Sequence, residues 1–141
     1  MTSSIMNLTN AVLDLIPTPA EGWKVYRQTS PKPGDEPPWI IETVTTTGHQ
    51  STETQRPTCS TGTLTLRIAG ETTDSVNIIA DDLMHPALAG RTPHADGFST
   101  GALVPSTDSG AYAAPLTDKD TALLYQVRAI TYRFNWNRTG A

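Results

Sequence analysis

A chain of 141 residues falls in the range of one ordinary domain and leaves too little length for a second hydrophobic core. Ten Lys and Arg against fourteen Asp and Glu give a formal net charge of −4, and no basic run occurs. This excludes the clustered cations with which duplex-binding proteins neutralise phosphates. Apolar residues make up 37% and charged residues only 17%. Together with abundant Thr, Ser, Gly and Pro, that mixture suits strands and ordered loops better than a salt-bridged helix bundle.

The lone Cys59 has no partner for an intramolecular disulfide, and one thiol is too few for a structural zinc site, so a reducing compartment is expected. No segment approaches the roughly 18 consecutive apolar residues of a membrane helix. The first fifteen residues lack the basic start of a signal peptide, and the expectation is a soluble protein made in the cytoplasm.

In chain order, Ser3 and Ser4 precede Ile5, Leu8, Val12, Leu15 and Ile16, which recur at helical spacing; a helix over residues 3–16 follows, ended by Pro17 and Pro19. Residues 23–28 read as a short strand running into Ser30–Pro38, whose prolines exclude both helix and central strand. Residues 39–47 alternate Ile41/Thr43/Thr45 with Ile40/Glu42/Val44 and predict a second strand, followed by a polar loop over 48–60. Residues 61–69 form the clearest strand, with Leu64, Leu66 and Ile68 on one face and Thr63, Thr65 and Arg67 on the other.

Gly70 breaks that strand. Thr72 or Thr73 then caps a helix over 73–85 whose apolar face is Val76, Ile79, Ala80 and Leu83, and Pro86 and Gly90 mark its end. Residues 91–119, rich in Pro and Gly, predict a long loop or a weak hairpin. Residues 123–137 form the longest strand, weighted by Leu124, Ile130, Tyr132, Phe134 and Trp136, with Arg128 and Arg133 on opposite faces. The expected class is α+β: a single domain over 1–141 with a mixed, mostly antiparallel sheet, two helices on one face and long Pro/Gly-rich loops.

Motifs for chemistry are sparse. His49, His85 and His94 fall in or beside predicted loops and form no metal-ligand spacing. His94 and Asp96 are read as turn residues, and Asp81 with Asp82 as a solvated face, because neighbours on a helix diverge by about 100°. Phosphate-cradling Gly motifs and the nucleophile elbow are missing. Cys59 has no His beside it to activate the thiol, and the acceptor pattern Asn137-Arg138-Thr139 would matter only on secretion. Tyr125, Tyr132, Phe134 and Trp136 could stack nucleic-acid bases, but strand alternation assigns them to core packing. No catalytic, cofactor or metal residue is nominated, and no cofactor is expected.

The block Thr61–Gly90, a polar strand followed by a helix ending in Leu88-Ala89-Gly90, resembles the core of tail-terminator and head-to-tail connector (neck) proteins of long-tailed bacteriophages. The likeness extends to the amphipathic start, the Val25–Gln28 strand with its Pro-rich loop, and the closing strand. The resemblance implies a structural virion protein and not an enzyme. It would form a hexameric ring that caps the tail tube and would join the tube protein to the head connector. It would bind no membrane and no specific nucleic-acid sequence.

Loops carry recognition in such an assembly, so the contact segments are expected over 30–39, 48–60 and 91–119. Pro33, Pro37, Trp39, His49, Arg56, Arg91, His94, Phe98 and Val104 are the candidate contact residues. The alternatives are a stopper or adaptor ring of the same neck, a monomeric binding module, and a small hydrolase in which His94, Asp96 and Asp108 converge.

Overall fold

A computed structural model of the chain describes residues 4–51, 57–117 and 124–139. The class is α+β, with a seven-stranded mixed sheet and helices gathered on one of its faces. The first helix, α1 (Ile5–Leu13), is capped by Ser4, whose Oγ accepts from the Met6 N–H at 3.2 Å. It stops short of the expected residue 16. The Leu15 and Ile16 N–H groups bond three residues back, to Val12 and Leu13, because Pro17 disfavours α backbone at the residue before it and the last turn tightens. Leu8, Val12, Leu13 and Ile16 are still buried.

Strand β1 (Lys24–Arg27) pairs in parallel with β2 (Trp39–Ser51), and every other pairing is antiparallel. Their proline-bearing connection is tied back to the sheet: Tyr26 OH donates to Asp35 Oδ2 at 2.9 Å and Lys24 Nζ to the Glu36 carbonyl at 2.8 Å. Gln28, at φ +58, ends β1 and replaces the missing backbone partner with its side chain. Its amide accepts from the Val44 N–H at 2.8 Å and donates to the Val44 carbonyl at 3.2 Å. Strands β2 and β3 (Pro57–Gly70) both run further into the 48–60 segment than the polar sequence there suggests, because they pair with each other.

The stretch 91–119, expected as loop or hairpin, holds three short strands: β4 (Phe98–Thr100), β5 (Val104–Asp108) and β6 (Tyr112–Thr117). All three pair antiparallel with β7 (Leu124–Arg138), opposite residues 136–138, 130–133 and 124–127 in turn. They amount to one interrupted edge strand. Further bonds from Gly101 to Asn135 and from Ser109 to Ala129 bridge the gaps. Pro105 and Pro115 are tolerated because an edge strand has one side that needs no donor.

The second helical run spans α2 (Thr73–Asn77), a seven-residue π segment (Ile78–Met84) and α3 (His85–Leu88). Thr72 caps it by accepting from the Ser75 N–H at 3.1 Å. Pro86, expected to end the helix, lies inside its last turn. A proline has no N–H and its ring crowds the carbonyl four residues back, and the wider π turns immediately before it give the room. Gly90, at φ +78, makes the stop.

Period two sorts the sheet into two faces. Inward lie Ile40 and Val44 of β2, Leu64, Leu66 and Ile68 of β3, and Ile130, Tyr132, Phe134 and Trp136 of β7. They pack in one cluster with Leu8 and Val12 of α1 and with Val76, Ile79, Met84 and Leu88 of the helical run. Tyr125 is out of phase with the other three aromatics; it is buried but not part of that cluster. The opposite face carries Thr43, Thr45, Thr61, Thr63, Thr65 and Thr131 beside Arg67 and Arg133.

Inside the core, Gly62 of β3 lies directly opposite Phe134, and a Cβ at that glycine would come within 2.2 Å of the phenyl ring. Gly62→Ala should therefore force Phe134 from its rotamer and cost about 1–3 kcal/mol, read as a lower midpoint in urea unfolding. An unchanged midpoint would mean that the ring does not lie over Gly62.

Candidate functional site

A group of charged and titratable side chains forms where the helical run meets β7 and β5. Arg128 occupies a position of β7 whose phase is otherwise apolar, and it is 9% exposed. Its guanidinium donates from Nε to Asp108 Oδ1 at 2.9 Å and from Nη2 to Asp108 Oδ2 at 2.6 Å, the bidentate geometry that makes arginine–carboxylate pairs strong. Nη1 reaches Asp81 Oδ2 at 2.9 Å and Asn77 Oδ1 at 3.1 Å. Asn77, Asp81 and His85 recur every four residues and so line one side of the helical run.

His85 continues the chain of contacts. Its Nε2 is 3.6 Å from Asp108 Oδ2, and its Nδ1 is 2.6 Å from the Tyr132 hydroxyl. His85 thus bridges the Tyr132 hydroxyl on its Nδ1 side and the Asp108 carboxylate on its Nε2 side. The order Asp108, His85, Tyr132 has the outline of a proton relay, but Tyr132 is 0% exposed, so its hydroxyl ends in the core and meets no substrate.

The electrostatics match a closed cluster. Hydrogen bonds from Arg128 hold the Asp108 carboxyl well below the usual carboxylate range. The same carboxylates hold the Arg128 guanidinium all the more firmly protonated. Burial, assisted by the nearby Asp108 charge, pushes the Tyr132 phenol up to about 12. The cluster thus fastens the helical run and β5 to β7 with charged groups that are largely satisfied within the protein.

A second charged position is less complete. Glu42 of β2 falls in the inward, apolar phase of its strand and is buried; Arg27 Nε donates to its Oε1 at 2.9 Å. A shallow polar concavity elsewhere is lined by Asn7 and Asn10 of α1 and by Asp14 at its end, with His94 and Asp96. Among the described residues no group of three or more His, Cys, Asp or Glu is arranged to hold a metal ion.

The sequence-nominated residues scatter. His94 and Asp96 lie together against α1 while Asp108 pairs with Arg128, so the three do not converge as the hydrolase alternative requires. Pro33 and Arg91 are exposed, and Val104 is 59% exposed on β5. Pro37 is buried, and Trp39 is half-buried edge-on to Tyr26, ring centroids 6.0 Å apart. Phe98 is turned into the core: it meets Trp136 edge-on at 5.9 Å and lies under Arg138, because β4 pairs with the end of β7. His49 is in the paired backbone of β2 opposite Ser60, and Arg56 lies outside the described residues.

Asp81 and Asp82 are both exposed, as read from the sequence, but Asp81 also reaches Arg128, a contact the sequence did not show; His85, expected at the end of the helix beside a loop, lies within the helical run. The signal available for Arg128 and Glu42 was their charge at an apolar phase; nothing local pointed to their partners. Among the described residues no helix is long and apolar enough to cross a membrane. No known protein-family model matches the chain, and no curated protein is similar to it.

The Arg128 cluster should show in acid stability. A carboxyl whose folded pKa is depressed adds stability that is complete above its unfolded value, about 4, and drains as pH falls below it. Wild-type stability should therefore decline below about pH 4, and Asp108→Asn should flatten that decline. At neutral pH, Arg128→Met should cost on the order of 2 kcal/mol by leaving two carboxylates without their cation. Chemical denaturation at several pH values reads both effects.

Proposed function

We propose that this chain is a subunit of a self-assembling ring, the tail terminator of a long-tailed bacteriophage, which caps the tail tube and joins it to the head connector. The observation that carries this reading is the difference between the two edges of the sheet. One edge is the short β1, with Val25 partly exposed; the other is the interrupted strand, with Val104 and Tyr112 exposed and Leu124 of β7 beside it. Unlike edges suit head-to-tail contacts, and head-to-tail contacts that close make rings.

The threonine face adds support. Solvent-facing sheets commonly carry Lys and Glu, whose ordering on contact is entropically costly, whereas Thr is short and loses little freedom. A face rich in threonine hydroxyls is well suited to packing against a protein neighbour. The short β1 and the prolines of β5 and β6 limit open-ended strand addition, which favours a closed assembly joined through side chains.

Light scattering after size exclusion, over a concentration series, is expected to give the mass of a hexamer, with a ring visible by negative stain. Val25→Asp and Val104→Asp should each lower that mass. Head-to-tail geometry makes a sharper demand: mixing the two variants should restore one intact interface and give a dimer that grows no further. A wild-type protein that stays monomeric at all concentrations, alone and with tail-tube protein, would favour a monomeric binding module instead.

A further inference from the structure

Strand β2 places a carboxylate where period two expects an apolar side chain. Glu42 lies between Ile40 and Val44 on the inward face, opposite Leu66 of β3 and Arg27 of β1, and is 1% exposed. Arg27 reaches Oε1 through a single nitrogen, and among the described residues no group donates to Oε2. An ionised carboxylate has about four acceptor sites, and leaving a buried one half satisfied is unfavourable. Burial accordingly raises the Glu42 pKa, with Arg27 opposing the shift.

Glu42 also lines a cleft of about 370 Å³. The other walls are Pro17, Thr18 and Pro19 from the α1–β1 connection, and Val25 and Arg27 from β1. Proline rings and valine methyls accommodate an aliphatic stem. Arg27 lines the same cleft, but its bond goes to Oε1, so the unpartnered Oε2 calls for a further donor; a neutral donor gains less than a charged one, because charge-assisted hydrogen bonds are roughly twice as strong. A carboxylate between two cations would mirror what the chain already builds at Arg128, a cation between Asp81 and Asp108.

We propose that this cleft binds one ammonium or guanidinium group carried on a short apolar stem, the charge meeting the buried, unpartnered oxygen of Glu42 behind the cleft wall and the stem lying against Pro17, Pro19 and Val25. The group is that of a lysine or arginine side chain from a neighbouring copy, or of a free alkylamine. The first source rests on the ring reading, since the cleft opens beside the β1 edge; the binding chemistry does not.

The test is an NMR titration of the labelled full chain, dilute enough to be unassembled, with n-butylammonium, n-butylguanidinium and neutral n-butanol. The cations should give saturable shifts at residues 17–19, 25–27 and 42, and binding should be roughly tenfold weaker for the alcohol and for the Glu42→Gln variant. Thr18→Lys, which tethers an ammonium at the rim, should block the probe and keeps the test readable if the Gln variant fails to fold. Shifts that do not saturate, equal binding of alcohol and cation, undiminished binding by Glu42→Gln, or free access in Thr18→Lys would each overturn the proposal. Repeating the titration on assembled protein separates the sources: a neighbour's side chain excludes the probe, a free amine site still takes it. Probe binding by a chain that never assembles would remove the ring reading and leave the cleft standing.

Discussion

Strand β7 is hydrogen-bonded along both sides, and that double pairing constrains the rest of the molecule. On one side it meets β3 from Ser60 to Gly70; on the other it templates β4, β5 and β6. Once its register is set, period two sends Arg128, Ile130, Tyr132, Phe134 and Trp136 toward the helices as a group, and each imposes a local condition. Phe134 requires a residue without a side chain opposite it, and Gly62 is there. Trp136 requires an aromatic neighbour at the sheet's end, supplied by Phe98. Arg128 requires carboxylates, and these come from the helical run and from β5.

Among the described residues two charged side chains are buried, Arg128 and Glu42, and they are resolved in opposite ways. Arg128 has its donors taken up by Asp108, Asp81 and Asn77, so it acts as a clamp between three elements. The π segment belongs to that arrangement, since it carries Asp81 and leads into His85 just before Pro86. Glu42 is served by one nitrogen of Arg27 and keeps an unpartnered oxygen beside a cleft. A filled polar cluster rigidifies, whereas an unpaired buried polar group is costly, and the proposed ligand would supply the missing donor.

The outer surfaces divide in the same spirit. The helical side is closed over the core, while the opposite face presents threonines, and the two sheet edges carry different exposed apolar residues. In the proposed ring, unlike edges would face each other around the circle, and the remaining faces would be left for the proposed tail-tube and head-connector contacts. The candidate contact residues fit that division unevenly. Val104, Pro33 and Arg91 are on the surface, whereas Phe98 and Pro37 serve the fold of the subunit itself.

Local pattern was enough for much of this. Ser4 and Thr72 announced their helices because capping is a contact within a few residues, and Leu64, Leu66 and Ile68 declared their face because alternation is a property of the strand itself. The sequence also determined that Arg128 and Glu42 stand in apolar phases. Only the tertiary structure decided what answers them: Asp108 is 20 residues from Arg128 and Asp81 is 47, separations over which no periodicity operates. The same holds for residues 98–117. Their prolines and glycines read as loop, and they become an edge strand only because β7 offers unpaired backbone groups along its whole length.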